Sequence, residues 1–351
     1  MRQQPYYRIL NRYRIEPDHI EDFGKVKKII SKKGVFALKE VQFSEEQRKQ
    51  FLYAVQSLHG NGYRHVIPIY STTNGSYLLR DNQSEYYLMP WLETYQSNTD
   101  NSYKDLLRAA AKLHSLTETK GEVNQTFFQY FYEKSKTNID RRRLDYERFI
   151  EKCERKQYMS PFELLYCTHF MQIIRMEDST LRQLEDWFDI VKEKKQDRVV
   201  ICHGNLAPKH LLYDENGHSF LINFERTFAA SPIYDLLYFF RKLLNHYPQK
   251  ASAASNQYIQ YIRNNPLTED EKLLLFYYMT ETSKIHKIIH QYETASSLSE
   301  RNMVTKLQRA VWQMQAASNF ISKIDEAIKQ EYNNLGEAEA ETDGTGSAAQ
   351  T

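Results

Sequence analysis

Cysteine, glycine and long apolar runs are all scarce in this chain, and each scarcity excludes something. The three cysteines, Cys153, Cys167 and Cys202, match neither a metal knuckle nor a disulfide framework, so they read as small buried hydrophobes in a protein made in a reducing compartment. Of eleven glycines, only Gly24 precedes the first expected strand, so no glycine-rich loop is present there to hold an anion through backbone amides. The N-terminus, MRQQPYYRIL, has no apolar core of signal-peptide length. The most apolar stretch, 273–279, is far too short to cross a bilayer. A soluble protein made in the cytosol, with no membrane partner, is expected. An excess of charge is lacking too: 47 Lys and Arg stand against 45 Asp and Glu, a formal +2, which provides no global field for nucleic acid.

What is present is enough chain, 351 residues, to bury a sizeable core. Residues 25–30 and 35–41 read as two strands joined by the turn Ser31-Lys32-Lys33-Gly34, a hairpin pattern. Ser44 is an N-cap candidate, with Glu45, Glu46 and Gln47 in the first turn of a helix whose apolar face carries Phe51, Leu52, Val55 and Leu58 until Gly60 and Gly62 stop it. Strands are expected near 77–80 and 86–89, and a helix from Tyr103 with Leu106, Ala110, Leu113 and Leu116 on one face. Further helices are expected near 162–176 and 181–194, from Tyr234, from Thr268 with Glu271 completing a capping box, and from Asn302 to about Gln330. Short β-like runs at 198–202 and 219–224 interrupt this helical pattern. The small, acidic end, 334–351, reads as a disordered tail.

The interval 199–213, VVICHGNLAPKHLLY, followed by 220–225, FLINFE, resembles the catalytic and metal-binding loops of the aminoglycoside phosphotransferase and choline kinase branch of the protein-kinase-like fold. That branch reads His-Gly-Asp, four residues, Asn, then a strand ending in Asp-Phe-Glu. By this resemblance His203 and Gly204 open the loop, Asn205 takes the place of the catalytic aspartate, His210 that of the asparagine, and Asn223 that of the metal-binding aspartate. Tyr234-Asp235-Leu236 matches the family's Tyr-Asp-Leu, whose aspartate braces the loop. Phe36-Ala37-Leu38-Lys39 looks like the strand whose lysine meets nucleotide phosphates, and 87–93, YLMPWLE, like the hinge. The implied fold is α+β and two-lobed: a small β-rich N-terminal lobe over 1–90 and a mostly helical C-terminal lobe over 91–333. More narrowly, the chain resembles the spore-coat-associated CotS-like proteins of this superfamily, and within them the YutH type. This implies incorporation into an endospore coat with other coat proteins as partners.

The substitutions bear directly on chemistry. A carboxamide at Asn205 can orient a hydroxyl but cannot take its proton. Asn223 offers magnesium only a dipole, and the His210 imidazole suits softer metals. Both tasks normally fall to carboxylates in phosphoryl transfer. The chain is therefore expected to be a degenerate phosphotransferase and not an enzyme, with no catalytic residue, no resident metal and no cofactor. His203, Gly204 and Asp235 would be retained for architecture. Two alternatives stay open. One is an active small-molecule kinase in which Glu225 or Asp214 holds metal from a shifted position; the other is a scaffold that binds ATP without magnesium in a cleft formed by Lys39, Met89 and Trp91.

Other signals have ordinary readings beside functional ones. Glu45 or Glu46 could pair with Lys39, or simply suit a helix N-terminus. The basic runs at 141–143 and 192–195 could dock an acidic partner, though such runs usually are solvated helix faces. His286 and His290, four apart, have no third ligand and read as structural. The 26 tyrosines fill cores, or could cross-link oxidatively in a coat layer. The stripe around Trp312 and Met314 reads as the last helix packing on its lobe.

Overall fold

The computed structural model describes residues 4–60, 62, 66–81, 84–93, 99–246, 251–294 and 299–344. In chain order the first elements are α1 (Gln4–Asn11), β1 (His19–Phe23), β2 (Val26–Ser31), β3 (Gly34–Val41), α2 (Glu45–Gly60), β4 (Leu79–Asp81), β5 (Ser84–Pro90), α3 (Thr99–Leu116) and β6 (Thr119–Glu122). Then come α4 (Gln125–Glu154), α5 (Pro161–Val191), β7 (Gln196–Cys202), β8 (Leu211–Tyr213), β9 (Ser219–Leu221) and β10 (Phe228–Ala230), with 3₁₀ turns at Pro208–His210 and Phe224–Arg226. The chain closes with α6 (Ile233–His246), α7 (Ala251–Ile262), α8 (Glu269–Thr280), α9 (Ser283–Thr294) and α10 (Glu300–Gly344). The expected tail from 334 thus falls partly on α10 and partly outside the described residues.

The fold is α+β, and the chain forms two compact units: Met1–Gly121 with Asp197–Tyr238, and Glu122–Gln196 with Phe239–Thr351. The segment from His203 to Glu225 therefore belongs with the N-terminal β-sheet and the start of α6, and not with α5. In the first unit, an antiparallel sheet runs in the order β1-β2-β3-β5-β4. One of its faces carries Ile29, Leu38, Tyr86 and Leu88, which pack with Ile9 and Leu10 of α1. Side chains alternate across a strand, so Ala37, Lys39, Tyr87 and Met89 point to the opposite face, where Phe51 of α2 lies 5.3 Å from the Tyr87 ring. The buried stripe of α2 is Phe51, Ala54, Val55 and Leu58. Its start is capped reciprocally: Gln47 N–H donates to Ser44 Oγ at 3.2 Å, and Ser44 N–H to Gln47 Oε1 at 3.0 Å. The same unit holds a sheet of order β10-β7-β6 and the small hairpin β8-β9.

The second unit is helical. Its core joins Tyr146 and Phe149 of α4, Phe162, Tyr166 and Ile173 of α5, Ile288 of α9, and Leu307 and Val311 of α10. Where the sequence suggested two helices over 162–194, α5 runs unbroken for 31 residues. The polar run Glu177-Asp178-Ser179-Thr180 looked like an interruption because its partners are remote in sequence. Glu177 is fully buried and takes two N–H bonds from Arg142, at 2.8 and 3.2 Å. Thr180 donates to its own helix at Met176 O, 2.8 Å away. The basic run at 141–143 is corrected by the same contacts. Arg142 is a core residue of α4, 5% exposed, and Arg143 pairs with Asp178 and Glu147, so neither is a free docking cation. His286 keeps the structural reading, with Nε2 2.8 Å from Asp145 Oδ2. On the last helix Met314 is buried but Trp312 is 64% exposed, so only the former packs as the stripe suggested.

Candidate functional site: a sealed lysine and carboxylate centre

The β3–β5 register places Lys39 opposite Tyr87 and Ala37 opposite Met89. Directly opposed residues share a face, and here both polar ends converge on one carboxylate. Lys39 Nζ pairs with Glu225 Oε1 and also donates to Asn223 Oδ1. The Tyr87 hydroxyl donates to Glu225 Oε1 at 2.6 Å. The lysine and glutamate side chains are only 13% and 20% exposed, so the pair is shielded from solvent. Burial alone would raise the Glu225 carboxyl, but the Lys39 charge and the bonds from Lys39 and Tyr87 outweigh it and hold the group below its ordinary value. Burial and the adjoining carboxylate push the Tyr87 phenol well up, so it remains a donor.

Asn223 precedes the 3₁₀ turn in the left-handed region, at φ 69° and ψ 53°. Asparagine tolerates that conformation better than most residues, which aims its amide oxygen at Lys39. The loop before it is held from below by Asp235, at the start of α6 and fully buried. Its Oδ2 accepts His203 N–H at 2.6 Å and His114 Nε2–H at 3.0 Å, and its Oδ1 accepts Gly204 N–H at 2.8 Å. Burial opposes the charge of Asp235, but these bonds keep its carboxyl below the ordinary range. Gly204 is at φ +75°, and a Cβ there would lie 1.9 Å from the Arg226 carbonyl oxygen; no other residue fits.

The two loop histidines are held neutral by their surroundings. His203 Nε2 donates to Ile222 O at 2.8 Å and Nδ1 accepts Asn205 N–H at 3.2 Å. Both ring nitrogens are thus used by the uncharged imidazole, and burial lowers its pKa. His210 donates from Nδ1 to Asn205 O at 2.8 Å, and burial lowers its pKa also. The Asn205 backbone is therefore clamped on both sides.

At the tip of the sheet, β1 and β2 meet with Phe23 opposite Val26, leaving a two-residue turn. Gly24 N–H donates to Asp22 Oδ1 at 2.8 Å, and Lys27 Nζ reaches the same oxygen at 2.6 Å and Gly24 O at 2.5 Å. The one glycine amide of this turn is thus committed to an internal carboxylate, as Lys39 is to Glu225.

These residues do not fit a magnesium ion, which needs hard, mostly anionic oxygen in octahedral array. Asn205 and Asn223 supply carboxamides, His210 an imidazole whose Nδ1–H is already donated, and Glu225 is neutralised by Lys39. Asp214, the other displaced candidate, is consumed by its turn: Oδ1 accepts N–H from Asn216 at 3.0 Å and from His218 at 2.8 Å. Among the described residues, the grouping of metal-ligating side chains is His114, Cys202 and Asp235, all buried. Both Asp235 oxygens are already taken by N–H groups, so this carboxylate works as a brace for the loop.

The sequence of the chain from residue 25 to residue 265 matches the model of the APH, or phosphotransferase enzyme, family. The chain belongs to this family. No curated protein matches it in sequence. Among solved structures it is similar to the aminoglycoside phosphotransferase of Alicyclobacillus acidocaldarius, at 15% identity and TM-score 0.64, over 92% of this chain and 95% of that one. It is also similar to a microcompartment-associated aminopropanol kinase, at 13% identity and TM-score 0.51, over 92% of this chain and 98% of that one. At such identities the likeness is one of fold, a protein-kinase-like phosphotransferase architecture.

In this phosphotransferase-family chain, Lys39, Asn223 and Glu225 meet directly, while His203, Gly204, Asn205 and His210 form one loop over Asp235. Met89 is buried opposite Ala37. Trp91 is engaged with the sheet tip: its ring lies 5.6 Å from that of Phe23, Lys28 Nζ sits 4.9 Å over it, and its N–H donates to Glu93. Glu45 and Glu46 are exposed in the first turn of α2, and the carboxylate on Lys39 comes from Glu225. Sequence reasoning missed His114 as partner of Asp235; the available signal was a lone histidine beside the apolar stripe Leu106, Ala110 and Leu113. It missed Asp22 as well, whose role depends on a turn too short to show in residue patterns.

Proposed function

We propose that this phosphotransferase-family chain is noncatalytic, a pseudokinase with a structural or assembly role. The observation that carries the reading is that the groups a kinase turns toward phosphate and metal are engaged by other groups of the chain itself. Lys39 serves Glu225 and Asn223, the Gly24 amide serves Asp22, and the two aspartate positions of the loops are carboxamides. Proton acceptance by Asn205 at neutral pH is chemically barred, and an asparagine at 223 cannot neutralise phosphate charge through a metal. The resemblance to CotS-like proteins of the YutH type makes an endospore coat the setting we favour, with synthesis in the cytosol and other coat proteins as partners.

Two experiments test this. Purified protein incubated with magnesium and ATP, alone and with a panel of aminoglycosides and amino alcohols, is expected to give no phosphotransfer above a Lys39→Met control; turnover above that control overturns the noncatalytic reading. Immunoblotting of fractionated endospores is expected to find the chain in the coat extract, and its recovery only from the spore interior would remove the coat assignment.

A further inference from the structure

The second unit contains a cavity of about 230 Å³ at the junction of α8 and α9, walled also by α6 and α10. Its apolar side is formed by residues such as Leu244, Met279 and Met314, and its polar side by Arg241, Glu281 and Lys284. The charges do not cancel. Glu281 is shared between two guanidiniums, Arg142 at 3.4 Å and Arg241 at 3.9 Å, and Arg142 is already paired with Glu177. Among the described residues, Lys284 Nζ meets only the amide oxygen of Gln313. Arg309, whose charge acts on Lys284, has no carboxylate within ion-pair distance among the described residues. Among the residues that line the cavity, two cations, Arg241 and Lys284, thus face one carboxylate, Glu281, and one positive charge is left in excess.

The backbone adds to this field. The α8–α9 junction is only Glu281 and Thr282, and the first α9 amides to find carbonyl partners are those of Ile285 and His286, both to Thr282 O. The amides of Ser283 and Lys284, two residues lining the cavity, are the leading N–H groups of a 12-residue helix. Burial holds the Arg241 guanidinium below its ordinary value even with Glu281 nearby. Burial and Arg309 do the same to the Lys284 ammonium.

We propose that this cavity binds a small organic anion, a phosphate monoester or a carboxylate with a short hydrocarbon body, gripped between Arg241 and Lys284. A guanidinium suits either head group through paired N–H donors, and an anionic head group would neutralise the excess charge of the lining. The apolar wall would cover the hydrocarbon part, as in most small-molecule pockets. A protonated amine would be repelled. The inference goes beyond the noncatalytic reading and is independent of it, since no residue of the cavity belongs to the segment from His203 to Glu225.

Calorimetric titration at constant ionic strength tests it, with glycerol 3-phosphate and succinate as probes and choline as the cation of opposite charge. Saturable binding of one or both anions is expected, the tighter one identifying the head group, with none for choline. Lys284→Gln, at an exposed and tolerant position, should weaken anion binding roughly tenfold, and Arg241→Gln should weaken it further. Absence of saturable anion binding overturns the proposal, as does binding unaffected by Lys284→Gln, or binding of choline in place of the anions. Should Arg241→Gln fail to fold, Lys284→Gln and Arg309→Gln still decide the matter.

Discussion

An aspartate and an asparagine have nearly the same shape, so replacing one by the other preserves packing while deleting a charge and a base. By the resemblance to the family's loops, that would be the pattern at Asn205 and Asn223. Asn205 is clamped by His203 and His210, and Asn223 takes the left-handed turn and bonds Lys39. The lysine is kept and given an internal anion. Lys39→Met should therefore destabilise the fold by about 2 kcal/mol at neutral pH, because it strands a largely buried carboxylate. The deficit should follow acid: Glu225 has its folded pKa below the unfolded 4.5, so its contribution is present above that value and is lost as pH falls through the folded pKa. Urea melts of wild type and variant should accordingly converge in strong acid.

The loop histidines set a second pH dependence at the same scale. His203 and His210 have folded pKa values below the unfolded 6.5, so below that pH the unfolded chain binds more protons and stability falls. Protonating His203 Nδ1 would also eject the Asn205 amide it accepts. The melting midpoint should decline as pH drops below about 6.5, and His203→Gln should flatten that decline. A slope unchanged by the substitution would count against this account of the loop. Most of these residues were legible in the sequence, because His203, Gly204, Asn205 and Asp235 stand in a motif with fixed spacing. The roles of His114 on Asp235, of Tyr87 on Glu225 and of Asp22 on Lys27 were not, since each comes from a cross-strand register or a contact remote in sequence.

Among the elements, the strands and caps were read well where the signal is local. The β2–β3 hairpin, the N-cap at Ser44 and the capping box at Thr268 all rest on neighbouring residues. The long helices were not. α4 went unrecognised and α5 was divided, because both bury polar residues in their middles and so break the apolar periodicity that reveals a helix. The Arg142–Glu177 pair explains this and can be tested. Arg142→Met or Glu177→Leu alone should each cost about 3 kcal/mol by leaving an unpaired buried charge, whereas the double variant should be much closer to wild type. Chemical denaturation of the four proteins measures the coupling; additive losses would show that the pair is not the unit that locks α4 to α5.

For the whole molecule, family membership and charge chemistry point in different directions, and the noncatalytic function proposed above would reconcile them as a family fold with a redirected site. The two compact units divide the chain so that the sheet, the loop of His203 and the turn of Asn223 form one body. That grouping could not be seen in the sequence, since its pieces are separated by the helices α4 and α5. The most direct test of the central claim is a thermal-shift titration of the purified protein with ATP, in the presence and absence of magnesium, because a ligand of the native state must raise its apparent stability. The account predicts no magnesium-dependent shift. A shift that requires magnesium would mean that Glu225 leaves Lys39 to hold the metal, and would contradict the reading of this site as sealed.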